Sequence, residues 1–150
     1  MIMEENVAAM LADVARLFRR SFDARARNIG VTRPQWQVLV LLKQHEGINQ
    51  GGLADLLEVE PITLGRMIDR LQEAALVERR PDPADRRAWL LHLTDKATGL
   101  LEQLRPLADD MLEVALEGLS DAERKALILS LDRIRQNLVP RPNPALVSNG

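Results

Sequence analysis

The hydrophobic period of this chain changes twice, and no other feature restricts the fold so tightly. Up to Leu76 the apolar residues recur every three or four positions, the spacing of a helical stripe. Leu76-Val77-Glu78-Arg79-Arg80 then reads as a short strand, Pro81-Asp82-Pro83-Ala84-Asp85 as a turn, and Arg86 onward as a second strand. In that strand Trp89, Leu91 and Leu93 alternate with Ala88, Leu90 and His92. From Thr94, which caps a long helix, the helical spacing returns.

The helical stretches divide at clear signals. Glu4 to Asn28 carries Val7, Met10, Leu11, Val14, Leu17, Phe18 and Phe22 on one stripe, and Gly30 ends it. Thr32 and Gln35 form a capping box for a second helix, with Pro34 tolerated in its first turn. That helix runs to about His45 and is apolar nearly all round, so it should be buried. Gly47 stops it, and Asn49 caps a short third helix built on Leu53, Ala54, Leu56 and Leu57. A tight turn at Glu58-Val59-Glu60 leads to a fourth helix opening at Pro61, with Ile62, Met67, Ile68 and Leu71 toward the core. The long helix after Thr94 carries Leu100, Leu101, Leu104, Ala108, Met111, Leu112, Ala115 and Leu119, and Pro106 should kink it. Ser120 and Glu123 make a second capping box for a last helix through Leu127, Ile128, Leu131, Ile134 and Leu138. Pro140, Pro142 and Pro144 forbid continuation, which leaves residues 139–150 as a loose tail. Helix, helix, short helix, helix, then ribbon is the order of a winged helix-turn-helix. The predicted fold is mainly α with a small two- to three-stranded β wing.

Composition removes most other functions. With no cysteine there is no disulfide framework, thiolate metal site or cysteine nucleophile, and His45 and His92 are too few and too far apart for a metal cluster. Serines 21, 120, 130 and 148 have no histidine near them in sequence. Asp109 and Asp110 diverge by about 100° on their helix, and Gly51-Gly52 lacks the lysine of a phosphate loop. No catalytic residue, metal or cofactor is expected. The longest apolar run, Val38 to Leu42, is far short of a membrane span. The acidic N-terminus lacks the basic region of a signal peptide, so the chain reads as cytoplasmic, with no membrane partner.

Net charge is −2, but its distribution is uneven. Residues 16–33 carry a local +5, with Asp23 their only acid, and residues 102–123 a local −6. Such asymmetry suggests one end facing an anion and the other facing water. In a helix-turn-helix the second helix enters the major groove with its N-terminal residues against base edges. Here the exposed positions are Thr63, Arg66 and Arg70, all hydrogen-bond donors, and arginine is the commonest reader of guanine. At the ribbon tip two arginine pairs, Arg79-Arg80 and Arg86-Arg87, bracket a proline-set turn. Guanidinium groups projected from such a turn suit phosphates and a narrow minor groove, and Asp85 can hold the Arg87 guanidinium in a fixed pose.

Asp82-Pro83-Ala84-Asp85-Arg86-Arg87-Ala88, followed by Leu91-His92-Leu93-Thr94, resembles the wing signature of MarR-type transcriptional regulators. The resemblance extends over about residues 7–138, through Leu53-Ala54 with Leu56, Asp69-Arg70-Leu71 and Leu76-Val77-Glu78-Arg79. Val31-Thr32 with Trp36, and Lys96-Ala97 after the wing, are similar to its SlyA-like branch. The resemblance implies a homodimer whose terminal helices intertwine, two winged lobes on a pseudo-palindromic double-stranded DNA site, and often a small aromatic acid as inducer. Residues 4–30 and 95–138 are then the dimerisation helices and 32–94 the DNA-binding lobe. The candidate DNA-binding residues are Thr32, Asn49, Gln50, Pro61, Thr63, Leu64, Arg66, Arg70, Arg79, Asp85, Arg86 and Arg87. Repression of transcription is the expected outcome.

Four positions depart from the family's pattern, one of them Ala97, where glycine is common although the SlyA-like branch shares the alanine. Ala75 stands where it usually has glycine after the recognition helix, so that cap must manage without the easy left-handed residue. Ile62 and Gly65 replace hydroxyl residues of many relatives, which leaves more of the DNA contact to Thr63, Arg66 and Arg70. Phe18, Phe22 and Trp36 cluster beside Arg19 and Arg25, and an aromatic carboxylate slot there is the effector reading; plain core is its alternative. The terminal stripes at 7–22 and 124–138 exceed what the small winged core can cover, which also argues for a homodimer. The rival to the whole reading is a winged helix used for protein–protein contact without specific DNA binding.

Overall fold

The structure is a computed structural model that describes residues 2–140, with side chains from residue 6 onward. Beyond Pro140, the tail expected over 139–150 lies outside the described residues. The described residues fall into two compact units that divide between Met111 and Leu112.

The first unit contains α1 (Ile2–Arg27), α2 (Arg33–Gln44), α3 (Gln50–Leu57), α4 (Pro61–Glu73), β1 (Val77–Pro81), β2 (Trp89–Leu93) and the first part of α5 (Asp95–Ala115). The chain leaves α1 through Gly30 at φ +77° and enters α2 through the expected box. The Thr32 hydroxyl accepts from the Gln35 amide, and the Gln35 carboxamide accepts from the Thr32 amide at 2.9 Å. Asn49 caps α3 by accepting from the Gly52 amide at 2.7 Å. Between α3 and α4 the turn is closed by Glu58 in the left-handed region and by the Val59 amide on the Ala54 carbonyl. Thr94 accepts from the Ala97 amide at 3.1 Å as α5 begins.

One core cluster unites α2, α3, α4, the ribbon and α5 around Leu39, Leu42, Leu53, Leu64, Ile68 and Leu91, all fully buried. A smaller one gathers Phe22, Ala26, Val31 and Leu104. In the ribbon β1 and β2 pair antiparallel, with Val77 opposite Leu93 and Pro81 opposite Trp89. Asn49 bridges to Leu90, and Leu91 exchanges backbone hydrogen bonds with Gly47 and Ile48, giving the wing a third edge. The second strand starts three residues later than its apolar alternation suggests: Arg86 and Arg87 belong to the turn.

The second unit holds the end of α5 and α6 (Asp121–Leu138). Helix α5 is continuous through Pro106 and ends at Ala115 rather than Leu119. Gly118 at φ +86° turns the chain after the helix, and the Arg124 guanidinium donates to the Leu116 and Leu119 carbonyls of that turn. The Ser120–Glu123 box is formed, and its backbone and side-chain hydrogen bonds hold the Glu123 carboxyl below its ordinary value. No residue of α6 is buried. No described helix is long and apolar enough to cross a membrane.

Candidate nucleic-acid interface

The orientation of α4 follows from three side chains. Leu64, Ile68 and Leu71, spaced four and three apart, lie in the core and fix which way the helix faces. Thr63, Arg66 and Arg70 are exposed on the other side, as their spacing predicts, and Pro61 occupies the first turn. Two assignments change. Leu64 is fully buried and has no surface to offer DNA, so it leaves the candidate set. Ile62, expected in the core, is 73% exposed. The reason is angular: two residues from Leu64 on a helix is about 200°, which puts Ile62 opposite the buried stripe.

Arg79 does not project from the ribbon. Its side chain lies along α4, where it donates to Asp69 Oδ1 at 2.6 Å, to Gln72 Oε1 at 3.0 Å and to the Gly65 carbonyl at 3.1 Å. Its Nε donates to Gln50 Oε1 at 3.2 Å. One guanidinium therefore ties the wing to both helices of the helix-turn-helix. A group with that many fixed acceptors sets the angle of the wing against α4. Arg80 pairs with Glu78 at 3.1 Å.

The tip is built by carboxylates. Asp82 accepts from the Ala84 amide and Asp85 from the Arg87 amide, each at 2.9 Å. The Asp82 amide and Ala88 carbonyl close the loop at 3.2 Å. Asp85 thus holds the Arg87 backbone, not its guanidinium as the sequence suggested, because a side chain two residues back reaches the amide first. Arg86 and Arg87 are exposed, and neither forms an ion pair among the described residues; the same holds for Arg66 and Arg70. Thr32 is exposed with its hydroxyl engaged in the cap, as is the Asn49 carbonyl oxygen.

The three aromatics do not line one open slot. Phe22 and Trp36 pack edge to face, centroids 4.8 Å apart, and the Trp36 indole donates to Asp23 at 2.7 Å. Phe18 is half-buried one turn before Phe22. Burial pushes the Asp23 carboxyl up, but hydrogen bonds from Arg33 and Trp36 outweigh it and hold it below the ordinary value. A cavity of about 500 Å³ takes in Trp36 with Arg19, and a separate one of about 410 Å³ takes in Phe22. Val40, Leu101, Leu104 and Ala108 supply its apolar wall, and Lys43, Glu102 and Arg105 its charged groups. Sequence reading missed Lys43 and Arg105, because they stand on different helices, α2 and α5, that no local spacing connects. No cluster of His, Cys, Asp and Glu able to hold a metal occurs among the described residues.

Four helices, a clamped wing and exposed arginines on both α4 and the wing tip define a winged-helix protein of the kind that binds nucleic acid. The model of the MarR family matches residues 31–89, from the start of α2 into the wing. Over 90% of this chain and 99% of its own, the transcriptional regulator PA3341 is 32% identical with a TM-score of 0.77. A MarR transcriptional regulator from Methanosarcina mazei Go1 is 26% identical with a TM-score of 0.78, covering 89% of this chain and 96% of its own. A mutant MarR from E. coli, solved in complex with operator DNA, is 25% identical with a TM-score of 0.70, covering 89% and 94%. The chain belongs to the MarR family: it is a transcriptional regulator with a winged-helix fold, not an enzyme.

Proposed function

We propose that the protein represses transcription as a homodimer on a pseudo-palindromic operator, with residues 32–94 as the DNA-binding lobe and 4–30 and 95–138 as the dimerisation helices. The observation that carries the DNA reading is the pairing of two surfaces. Exposed arginines without acid partners stand on α4 at 66 and 70 and on the wing tip at 86 and 87. The Arg79 clamp fixes one surface relative to the other. Arg66, Arg70 and Thr63 then meet base edges in the major groove, and Arg86 and Arg87 meet phosphates or the minor groove. Thr32, Asn49, Gln50 and Pro61 border that face, while Arg79 and Asp85 act by holding the wing. That a mutant MarR from E. coli was solved in complex with operator DNA supports DNA as the partner.

A small aromatic carboxylate is the proposed effector. The cavity beside Phe22 supports it, since an apolar wall with two cations, Lys43 and Arg105, against the one acid Glu102 suits an aromatic anion.

One set of gel-shift titrations on a selected operator tests both parts. Arg86→Ala should weaken binding to all sequences and reduce the salt slope by about one unit for each phosphate left without its cation. Arg66→Ala should relax sequence preference at a cost of about 1–3 kcal/mol on the cognate site. Unchanged affinity in both variants sinks the assigned DNA face. Millimolar benzoate-class acid should release the wild type, and Lys43→Glu should abolish that release without changing acid-free binding. By reciprocity, DNA must weaken the acid as much as the acid weakens DNA, typically about 5- to 150-fold. Release that survives Lys43→Glu, or none in the wild type, removes the effector.

A further inference from the structure

We propose that Ile62 is a specificity-determining residue that reads the 5-methyl group of a thymine in each half-site; this rests on α4 being the recognition helix. Ile62 is the second residue of α4, directly after Pro61, and is 73% exposed although it is β-branched and wholly apolar. Its position is not slack, because Leu64, Ile68 and Leu71 lock the helix against rotation. One turn on, Arg66 shares its face, and Thr63 lies beside it. Both neighbours are exposed donors suited to base edges, so any groove wide enough to admit them receives Ile62 at the same depth.

The major groove offers an isoleucine one apolar group, the thymine methyl; every other base-edge feature there is a donor or an acceptor that Ile62 cannot satisfy. A cytosine at that position lacks the methyl, so the contact selects thymine over cytosine by the apolar surface it loses. The stiff χ1 of a β-branched side chain keeps the ordering cost of the contact small.

The test replaces single thymines by uracil, which removes only the methyl. The full chain first selects an operator from random DNA, and each thymine of that duplex is then changed in turn. In the wild type, uracil at one symmetry-related thymine per half-site should lower affinity about four-fold, the value of one buried methyl-sized group. In Ile62→Ala that penalty should vanish, Ile62→Val should keep part of it, and Arg66→Ala should keep it whole. A wild type indifferent to every uracil, or a penalty that persists in Ile62→Ala, overturns the proposal while leaving α4 as the reading helix. If no duplex is selected at all, the recognition-helix reading falls and the role of Ile62 with it.

Discussion

Among the described residues two other than glycine take left-handed backbone, Glu58 at φ 55° and Ala75 at φ 60°. An L-residue in that region costs about 1–2 kcal/mol, so something must hold it there. At Ala75 the holders are visible: its amide donates to the Gln72 carbonyl at 3.0 Å, and its carbonyl accepts from the Thr94 hydroxyl at 2.6 Å. Lys96 adds a bond to the Ala74 carbonyl at 2.8 Å. The sequence showed that glycine was missing from this cap; it did not show that alanine itself adopts the glycine conformation. Ala75→Gly should therefore stabilise the fold by about 0.5–1 kcal/mol, after glycine's greater unfolded-state entropy is deducted. The urea midpoint should rise with the slope unchanged. A midpoint that stays or falls would show that the cap is not strained. The same scale explains the two α4 errors, since Leu64 and Ile62 are both apolar and only their angle to the locked stripe separates them.

At the scale of elements, helices and caps were legible because each depends on residues close in sequence, as the Thr32 and Ser120 boxes show. The joint between α1 and α2 was not. Asp23 was visible as the one acid in a basic stretch, but its partners Arg33 and Trp36 are 10 and 13 residues away. Arg79 is the same case, with acceptors on α3 and α4 that no local spacing connects. The Asp23 joint makes stability depend on pH. Its folded-state value lies below the ordinary one of about 3.9, so the unfolded chain binds more protons between the two. The stabilisation is complete above the ordinary carboxylate range and is lost as pH falls through the lower, folded-state value. Trp36 reports it directly, since protonation weakens the carboxylate that its indole donates to. With Trp89→Phe as background, Trp36 emission should shift along with stability at acid pH, and Asp23→Asn should flatten that limb while weakening the protein at neutral pH. An acid limb unaltered by Asp23→Asn would assign it to other carboxylates.

At the scale of the whole molecule, the apolar stripes read from the sequence remain uncovered in one chain. Helix α1 exposes Val7, Met10, Leu11, Val14 and Leu17. In the second unit Leu112, Val114, Leu127, Ile128, Leu129, Leu131 and Leu138 are exposed, the last at 77%. Soluble monomers seldom leave contiguous apolar surface beyond a few hundred Å². The proposed dimer would remove both faces from water by bringing these helices of two copies together, and would carry its two α4 helices to half-sites about one DNA turn, roughly 34 Å, apart. The wild type should therefore sediment at about twice 16.8 kDa. Ile128→Asp combined with Leu129→Asp should yield a monomer, because both side chains are mostly exposed in the single chain, at 66% and 70%. Its winged lobe should keep its thermal transition, yet bind the operator at least about 100-fold more weakly, without the second half-site's effective concentration. Sedimentation of the wild type as a single 16.8 kDa species at micromolar concentration would defeat the dimer. A doubly charged variant that still dimerises would move the interface to α1, where Met10→Glu and Val14→Glu apply the same reasoning to the other exposed stripe.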